Sequence, residues 1–203
     1  MEIPVGKTHL SGDLQIPPKA KGVVLFAHGS GSSRLSPRNQ FVAKYLQQAG
    51  LATLLIDLLD EKEGREDERT RALRFNIPLL AERLSQITEW LIQKKLNIGY
   101  FGASTGAAAA LIAATTNPVK AIVSRGGRPD LAGNALPKVK APTLLIVGGY
   151  DTEVIELNRE ALAQLHCEKK LTIVPGATHL FEEPGTLEQV ATLARDWFLE
   201  YLS

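Results

Sequence analysis

Short apolar runs alternate with longer amphipathic stretches along this chain. Val23–Ala27, Ala52–Ile56, Ile98–Phe101, Val119–Val123, Thr143–Val147 and Leu171–Val174 are four or five residues long and almost uninterrupted by polar side chains. Continuous runs of this kind predict strands buried on both faces, as in a parallel sheet. Between them lie helical patterns. Ser36-Pro37 opens one, with Ser36 as N-cap and proline at the first helical position, and it ends near Gly50. Asn76 caps another, in which Leu80, Leu84, Ile87 and Leu91 recur at helical spacing. Val154–Leu165 is a third, and Ala107–Ala114 a short Ala-rich one. The last carries Val190, Ala194, Trp197 and Tyr201 on one face, with Thr186 and Gln189 as its expected capping box. Residues from Ile3 to Ile16 predict a hairpin with its turn near Ser11-Gly12-Asp13. The stretch from Asp60 to Arg74 has no hydrophobic period and is read as a long loop or short helix at the sheet edge.

The prediction is an α/β architecture: about six parallel strands with helices on both faces, preceded by an antiparallel hairpin. Only short links separate the elements, so no large lid is expected. The site would be open and bordered by the loops at 30–38, 57–76 and 125–137.

Composition narrows the function. A length of 203 residues fits one domain, 1–203, with a substantial core, and 44% hydrophobic against 22% charged residues marks a globular chain. A net charge of +1 argues against a general nucleic-acid binder, and Arg65–Arg74 mixes both signs rather than forming a basic patch. The single cysteine, Cys167, allows no intramolecular disulfide and suits a reducing compartment. No apolar run approaches a membrane span, and Met1–Lys7 lacks the apolar stretch of a secretory signal, so a cytoplasmic location is expected. No metal-ligand cluster is present in the sequence. Trp90 and Trp197 are read as core.

The candidate chemistry lies in Gly102-Ala103-Ser104-Thr105-Gly106. This G-x-S-x-G stretch follows a predicted strand and opens a predicted helix, the context in which the pattern describes a nucleophile turn. A nucleophilic serine needs a histidine as base and a carboxylate to orient it. Of His9, His28, His166 and His179, only His179 sits in a loop between a late strand and the last helix, where the third member of a Ser–Asp–His order belongs. Asp151 follows the strand ending at Val147 and is preferred as the acid. Asp130 also keeps the chain order, whereas Asp57 precedes the serine. The competing reading of Asp151 is a helix N-terminal acid.

The strand ending at Ala27 runs into His28-Gly29-Ser30-Gly31-Ser32-Ser33, a turn able to aim a backbone N–H at an acyl oxygen. Ser30 is the preferred donor, with Gly31 a near alternative, and the N–H of Thr105 is the second. His28 is read as a ring holding this turn by hydrogen bonds. Arg34 and Arg38 follow the turn, and Arg125 and Arg128 lie in Ser124-Arg125-Gly126-Gly127-Arg128. Arg34 and Arg125 are the candidate substrate-binding residues, able to hold a carboxylate or phosphate. The competing and preferred reading is loop-bracing ion pairs.

From Gly22 onward these residues resemble the α/β-hydrolase superfamily, in its small lidless dienelactone-hydrolase-like branch. The likeness rests on His28-Gly29-Ser30-Gly31, the turn around Ser104, Ala141–Gly148 with Asp151, and Gly176-Ala177-Thr178-His179. It implies a serine esterase with Ser104, Asp151 and His179 as triad, Ser30 and Thr105 as oxyanion donors, a small-molecule ester as substrate and no cofactor. One departure is plain. The enzyme that names the branch has a cysteine nucleophile, whereas serine stands here and Cys167 lies elsewhere. Acyl transfer and perhydrolysis share the same acyl-enzyme and stay open, as does a non-catalytic binding protein that keeps the fold.

Overall fold

The structure is a computed structural model that describes residues 1–202. Eight strands form one sheet: β1 (Glu2–Val5), β2 (Thr8–Gln15), β3 (Gly22–Ala27), β4 (Ala52–Ile56), β5 (Asn97–Ala103), β6 (Val119–Arg125), β7 (Thr143–Gly148) and β8 (Lys169–Val174). Their order is β1-β2-β4-β3-β5-β6-β7-β8. Strands β3 to β8 run parallel, while β1–β2 and β2–β4 pair antiparallel. The six predicted parallel strands and the antiparallel N-terminal pair are therefore present.

Helices α1 (Pro37–Gln48) and α6 (Thr186–Leu202) cover one face. Their Val42, Leu46, Val190, Ala194 and Phe198 pack on Val24, Phe26, Phe101, Val123 and Ile146. On the other face lie α3 (Ile77–Ile92), α4 (Thr105–Ala113) and α5 (Thr152–Gln164), against Leu25, Leu54, Tyr100 and Ile122. The alternation of neighbouring strand residues between these two cores explains the continuous apolar runs. Helix α4 is buried nearly all round. Its run of alanines lets it sit between the sheet and α3, as a helix apolar on every side must.

Ser36 and Asn76 cap α1 and α3 as expected, accepting from the N–H groups of Asn39 and Leu79. Two expectations are corrected. The N-terminal turn falls at Gly6-Lys7, and Ser11-Gly12-Asp13 lies inside β2. Gly12 is there for packing, since a Cβ would come within 3.1 Å of Ile3 and Leu54 side chains. At α6 the Thr186 hydroxyl donates to the Glu183 carbonyl instead of capping Gln189, whose N–H bonds Gly185. The charged stretch takes the helical of its two expected forms, with a ten-residue helix, α2 (Glu61–Thr70), followed by a 3-10 turn at Leu73–Phe75. A reciprocal capping box starts α2, with Asp60 bonding the Glu63 N–H and Glu63 bonding the Asp60 N–H.

After β6 the chain makes 3-10 turns over Pro129–Lys138, kinked at Gly133, where a short link was expected. Trp197 is buried; Trp90 is half-buried on the core, with the Lys94 ammonium 4.6 Å from its ring centroid. Among the described residues no helix is long and apolar enough to cross a membrane, and no large lid covers the sheet.

Candidate active site

The parallel register sets the carboxyl ends of the strands side by side. Ala27 pairs with Gly102, Ala103 with Arg125, and Gly148 with Val174. Every candidate residue lies at or after one of these ends, where open parallel sheets gather their ligands.

Ser104 stands between β5 and α4 at φ 50°, ψ −122°, a conformation strained for any residue with a side chain. The turn is this tight because its glycines let backbones touch. A Cβ at Gly102 would lie 2.4 Å from the Ala107 Cα, and one at Gly106 would lie 2.3 Å from the Ala27 carbonyl oxygen. The strain is held from β6. The Ser104 N–H donates to the Arg125 carbonyl at 3.3 Å, and the Ser104 carbonyl accepts from the Arg128 N–H at 3.0 Å. Thr105 begins α4, so its N–H is among those with no partner inside the helix.

Asp151 and His179 meet. His179 Nδ1 lies 2.6 Å from Asp151 Oδ2. Asp151 occupies the N-cap position of α5, yet its carboxylate accepts no N–H from that helix and turns to the imidazole instead. Two backbone bonds tie the β7 and β8 loops together, Gly149 N–H to Val174 and Tyr150 N–H to Ala177, both 2.9 Å. Glu183 accepts the Thr178 N–H at 3.0 Å and latches the His179 loop; the Thr178 hydroxyl first, and this N–H second, hold its carboxyl below the usual range. On the Ser104 side His179 packs over Gly126, whose Cβ position is 3.5 Å from the ring. Gly126 directly follows the residue that bonds Ser104. Among the described residues the Ser104 hydroxyl and His179 Nε2 have no hydrogen-bond partner. Contacts of this type commonly tighten only when substrate arrives.

The turn after β3 is closed by a bond from the Ser32 N–H to the Gly29 carbonyl, with Gly31 at φ +70°. A Cβ on Gly29 would lie 3.1 Å from the Ser104 Cβ, so this turn stands directly beside the serine. His28 holds it. The Leu58 N–H donates to His28 Nε2 at 3.0 Å, so the proton sits on Nδ1 and donates to the Gly29 carbonyl at 2.9 Å. Burial pushes the His28 pKa below its ordinary value, partly offset by the Gly29 bond and the Asp57 charge. The ring is thus a neutral brace, as its sequence position suggested.

The arginines divide. Arg34 pairs with Asp57 at 2.6 Å, its own N–H also reaches Asp57, and Asp13 lies at 3.4 Å. Arg128 makes a two-pronged pair with Asp130 at 2.9 and 2.8 Å, which removes Asp130 as a partner for His179. Both are the loop-bracing arrangement. Arg125 differs. It was expected in the loop after a strand but is the last residue of β6, and it is buried.

A cleft of about 880 Å³ runs from the Ser30 turn toward α2, lined by Ser30, Gly31, Arg34, Asp57, Asp67 and Arg74. Its far wall rests on a pair the sequence did not suggest. Asp67, 4% exposed, accepts from the Leu73 and Arg74 N–H groups and from Arg74 Nε at 2.6 Å. Burial alone would push the Asp67 carboxyl up, but these bonds and the Arg74 charge outweigh it and hold its pKa below the usual range. The rim over the strand ends carries exposed Leu35, Phe75, Leu131, Tyr150 and Leu180.

The family model of the dienelactone hydrolase family matches residues 10–201. The crystal structure of a dienelactone hydrolase from Anabaena variabilis superposes with a TM-score of 0.98 at 61% identity, covering 100% of this chain and 97% of that one. The Butyrivibrio proteoclasticus protein Est1E, solved with ferulic acid bound, shares the fold at a TM-score of 0.83 and 19% identity, over 99% and 98% of the two chains. Proteins from two Mycobacterium tuberculosis strains, provisionally named phosphoribosyl transferase, are 57% identical over 208 residues. The alignment covers 100% of this chain but 46% of theirs, so the chain spans about half the length of these relatives. Fold, strand-end geometry and the match across residues 10–201 agree, and the chain belongs to the dienelactone hydrolase family of α/β hydrolases.

Proposed function

We propose that this hydrolase cleaves carboxylic esters of small molecules through an acyl-enzyme on Ser104. The observation that carries the reading is the 2.6 Å contact of His179 Nδ1 with Asp151 in the loops beside the strained serine. Ser104 Oγ attacks the ester carbonyl carbon while its proton passes to His179 Nε2. Asp151 keeps the Nδ1 proton in place and stabilises the imidazolium. The N–H groups of Ser30 and Thr105 receive the developing oxyanion. Collapse expels the alcohol, which takes the proton from His179. Water, deprotonated by His179, then attacks the acyl carbon, releases the acid and restores Ser104. Each proton and leaving group is handled by this chain's own residues.

The transferase name of the mycobacterial relatives belongs to proteins about twice as long. It is not carried to this chain, whose residues 10–201 match a hydrolase family. Ser104→Ala should lower the turnover of a p-nitrophenyl ester by roughly 10⁴-fold with an unchanged circular-dichroism spectrum. A folded alanine variant with near-full activity would overturn the proposal.

A further inference from the structure

The cleft of about 880 Å³ beside the Ser30 turn is not used by the acyl chemistry. Its volume lies in the range of small-molecule pockets, about 300–1,000 Å³. It starts at the nucleophile, because Gly29 lines it and a Cβ on Gly29 would lie 3.1 Å from the Ser104 Cβ. From there it runs past Asp57, just beyond the end of β4, to α2. The sheet order fixes which part of an ester can enter. Strand β5, which leads into Ser104, lies between β3 and β6. His179 packs over Gly126 on the β6 side, whereas the cleft lies on the β3 and β4 side. The leaving oxygen takes its proton from His179, so the alcohol departs on the β6 side. The cleft therefore faces the acyl group.

Its walls favour one kind of acyl group. Among the described residues Leu59 and Leu80 are its only apolar side chains, so a hydrocarbon chain would strip water from charged groups and gain little. An anion fares no better. Six carboxylate residues line the cleft against four lysines or arginines, and the three arginines are paired: Arg34 with Asp57, Arg74 with Asp67, and Arg65 with Glu61. These pairs set carboxylate acceptors beside guanidinium N–H donors that are still free. Arg74 Nη1 makes no hydrogen bond among the described residues and stands 3.0 Å from the Cβ position of Gly31. The Ser30 and Ser32 hydroxyls are unpartnered in the same sense. A hydroxyl both donates and accepts, so neighbouring hydroxyls on a ligand answer both halves of such a wall. Hydrogen bonds with one charged partner are also the stronger kind.

A glycine in the wall points the same way. Gly64 lies inside α2 and lines the cleft. Its N–H makes the ordinary helical bond to the Asp60 carbonyl at 2.8 Å, and a Cβ there would meet nothing within 4 Å. Neither backbone conformation nor packing calls for glycine here, and glycine weakens a helix interior relative to alanine. What its missing side chain does is keep the cleft open.

We infer that this cleft holds a polyhydroxylated acyl group, such as that of a sugar acid, while Ser104 attacks its ester carbonyl. The inference rests on Ser104 being the nucleophile and names the acyl class it serves. Asp57 follows β4, two strands from β5 and so about 10 Å away by strand spacing. The outer hydroxyls of a six-carbon acyl chain come within reach of its pair with Arg34.

The test uses four methyl esters: acetate, hexanoate, gluconate and the monoester of adipic acid. Proton release is followed with a pH indicator against an enzyme-free blank, and each kcat/KM is corrected for the ester's own rate with hydroxide. The last three esters share a six-carbon chain and differ in hydroxyls and charge. Wild type should favour gluconate over hexanoate and adipate by about 10- to 100-fold, the range of a hydrogen bond to a charged group. Gly64→Trp fills the cleft. It should lose at least about tenfold on gluconate and stay within about threefold of wild type on acetate, which is too short to enter. A wild type that hydrolyses acetate but favours hexanoate or adipate, or treats the six-carbon esters alike, would overturn the inference and leave the esterase reading standing. So would a Gly64→Trp variant that keeps its gluconate rate or loses acetate activity equally. Absence of activity toward all four esters would instead count against the esterase reading.

Discussion

Replacing Asp151 by asparagine changes one oxygen to NH₂ and keeps the shape. In the native site the carboxylate accepts the Nδ1 proton at 2.6 Å, which in the proposed mechanism leaves Nε2 free to take the Ser104 proton. An asparagine amide turned toward Nδ1 donates instead, so the ring moves its proton to Nε2. The base is then occupied before the reaction starts, and the imidazolium loses its counter-charge. A fully enclosed triad loses about 10⁴-fold from this change. Here Asp151 is largely enclosed, with 16% of its side chain exposed, but His179 is 40% exposed and water can partly stand in. The expected loss in kcat is therefore about 10²- to 10⁴-fold, roughly 3–5.5 kcal/mol of barrier. Stability should stay within about 0.5 kcal/mol, since the Asp151 side chain caps no N–H of α5 and asparagine is an equally good N-cap. Steady-state hydrolysis of p-nitrophenyl acetate and a thermal melt measure both quantities. A variant with more than a tenth of wild-type kcat would refute the orienting role. A large drop in melting temperature would show that Asp151 serves the helix instead.

Two further consequences concern the braces around the site. Asp67→Ala strands the Arg74 guanidinium and two N–H groups; with Arg74 still 21% exposed, the loss should be about 2–3 kcal/mol, lowering Tm by roughly 5–10 °C. An unchanged Tm would show that this pair holds nothing. His28 has a folded-state pKa below its ordinary 6.5, so its stabilising effect is complete above about pH 6.5 and is lost as pH falls below that value. His28→Gln should flatten the decline of stability from pH 6.5 to 5 by up to about 1.4 kcal/mol per pH unit, read from urea melts. An equally steep decline in the variant would exclude His28 as its source.

The parts of this molecule visible in the sequence are those governed by a single local rule. Continuous apolar runs marked the six parallel strands because both faces of the sheet are covered. Ser36-Pro37 and Asn76 marked helix starts because capping is a short-range bond. Gly102 and Gly106 marked the serine turn because only a missing Cβ permits those contacts. The misreadings arose where a residue answers to distant partners. Gly12 looked like a turn, but its partners are Ile3 and Leu54 on neighbouring strands. Helix α2 buries only Asp67, so it has no apolar stripe to reveal it, although Asp60 and Glu63 already carried its capping signal. Arg125 was noticed for its position after a strand. What sets it apart, a buried charge without a partner, exists only once Asn39 and Arg38 are brought alongside.

The proposed mechanism requires that Ser104 become covalently acylated. Intact-mass spectrometry after treatment with a fluorophosphonate, followed by peptide mapping, tests it most directly. One adduct per chain is expected, on the peptide containing Ser104, and none in Ser104→Ala. A folded wild-type protein that gains no mass, or an adduct that persists in the alanine variant, would contradict it.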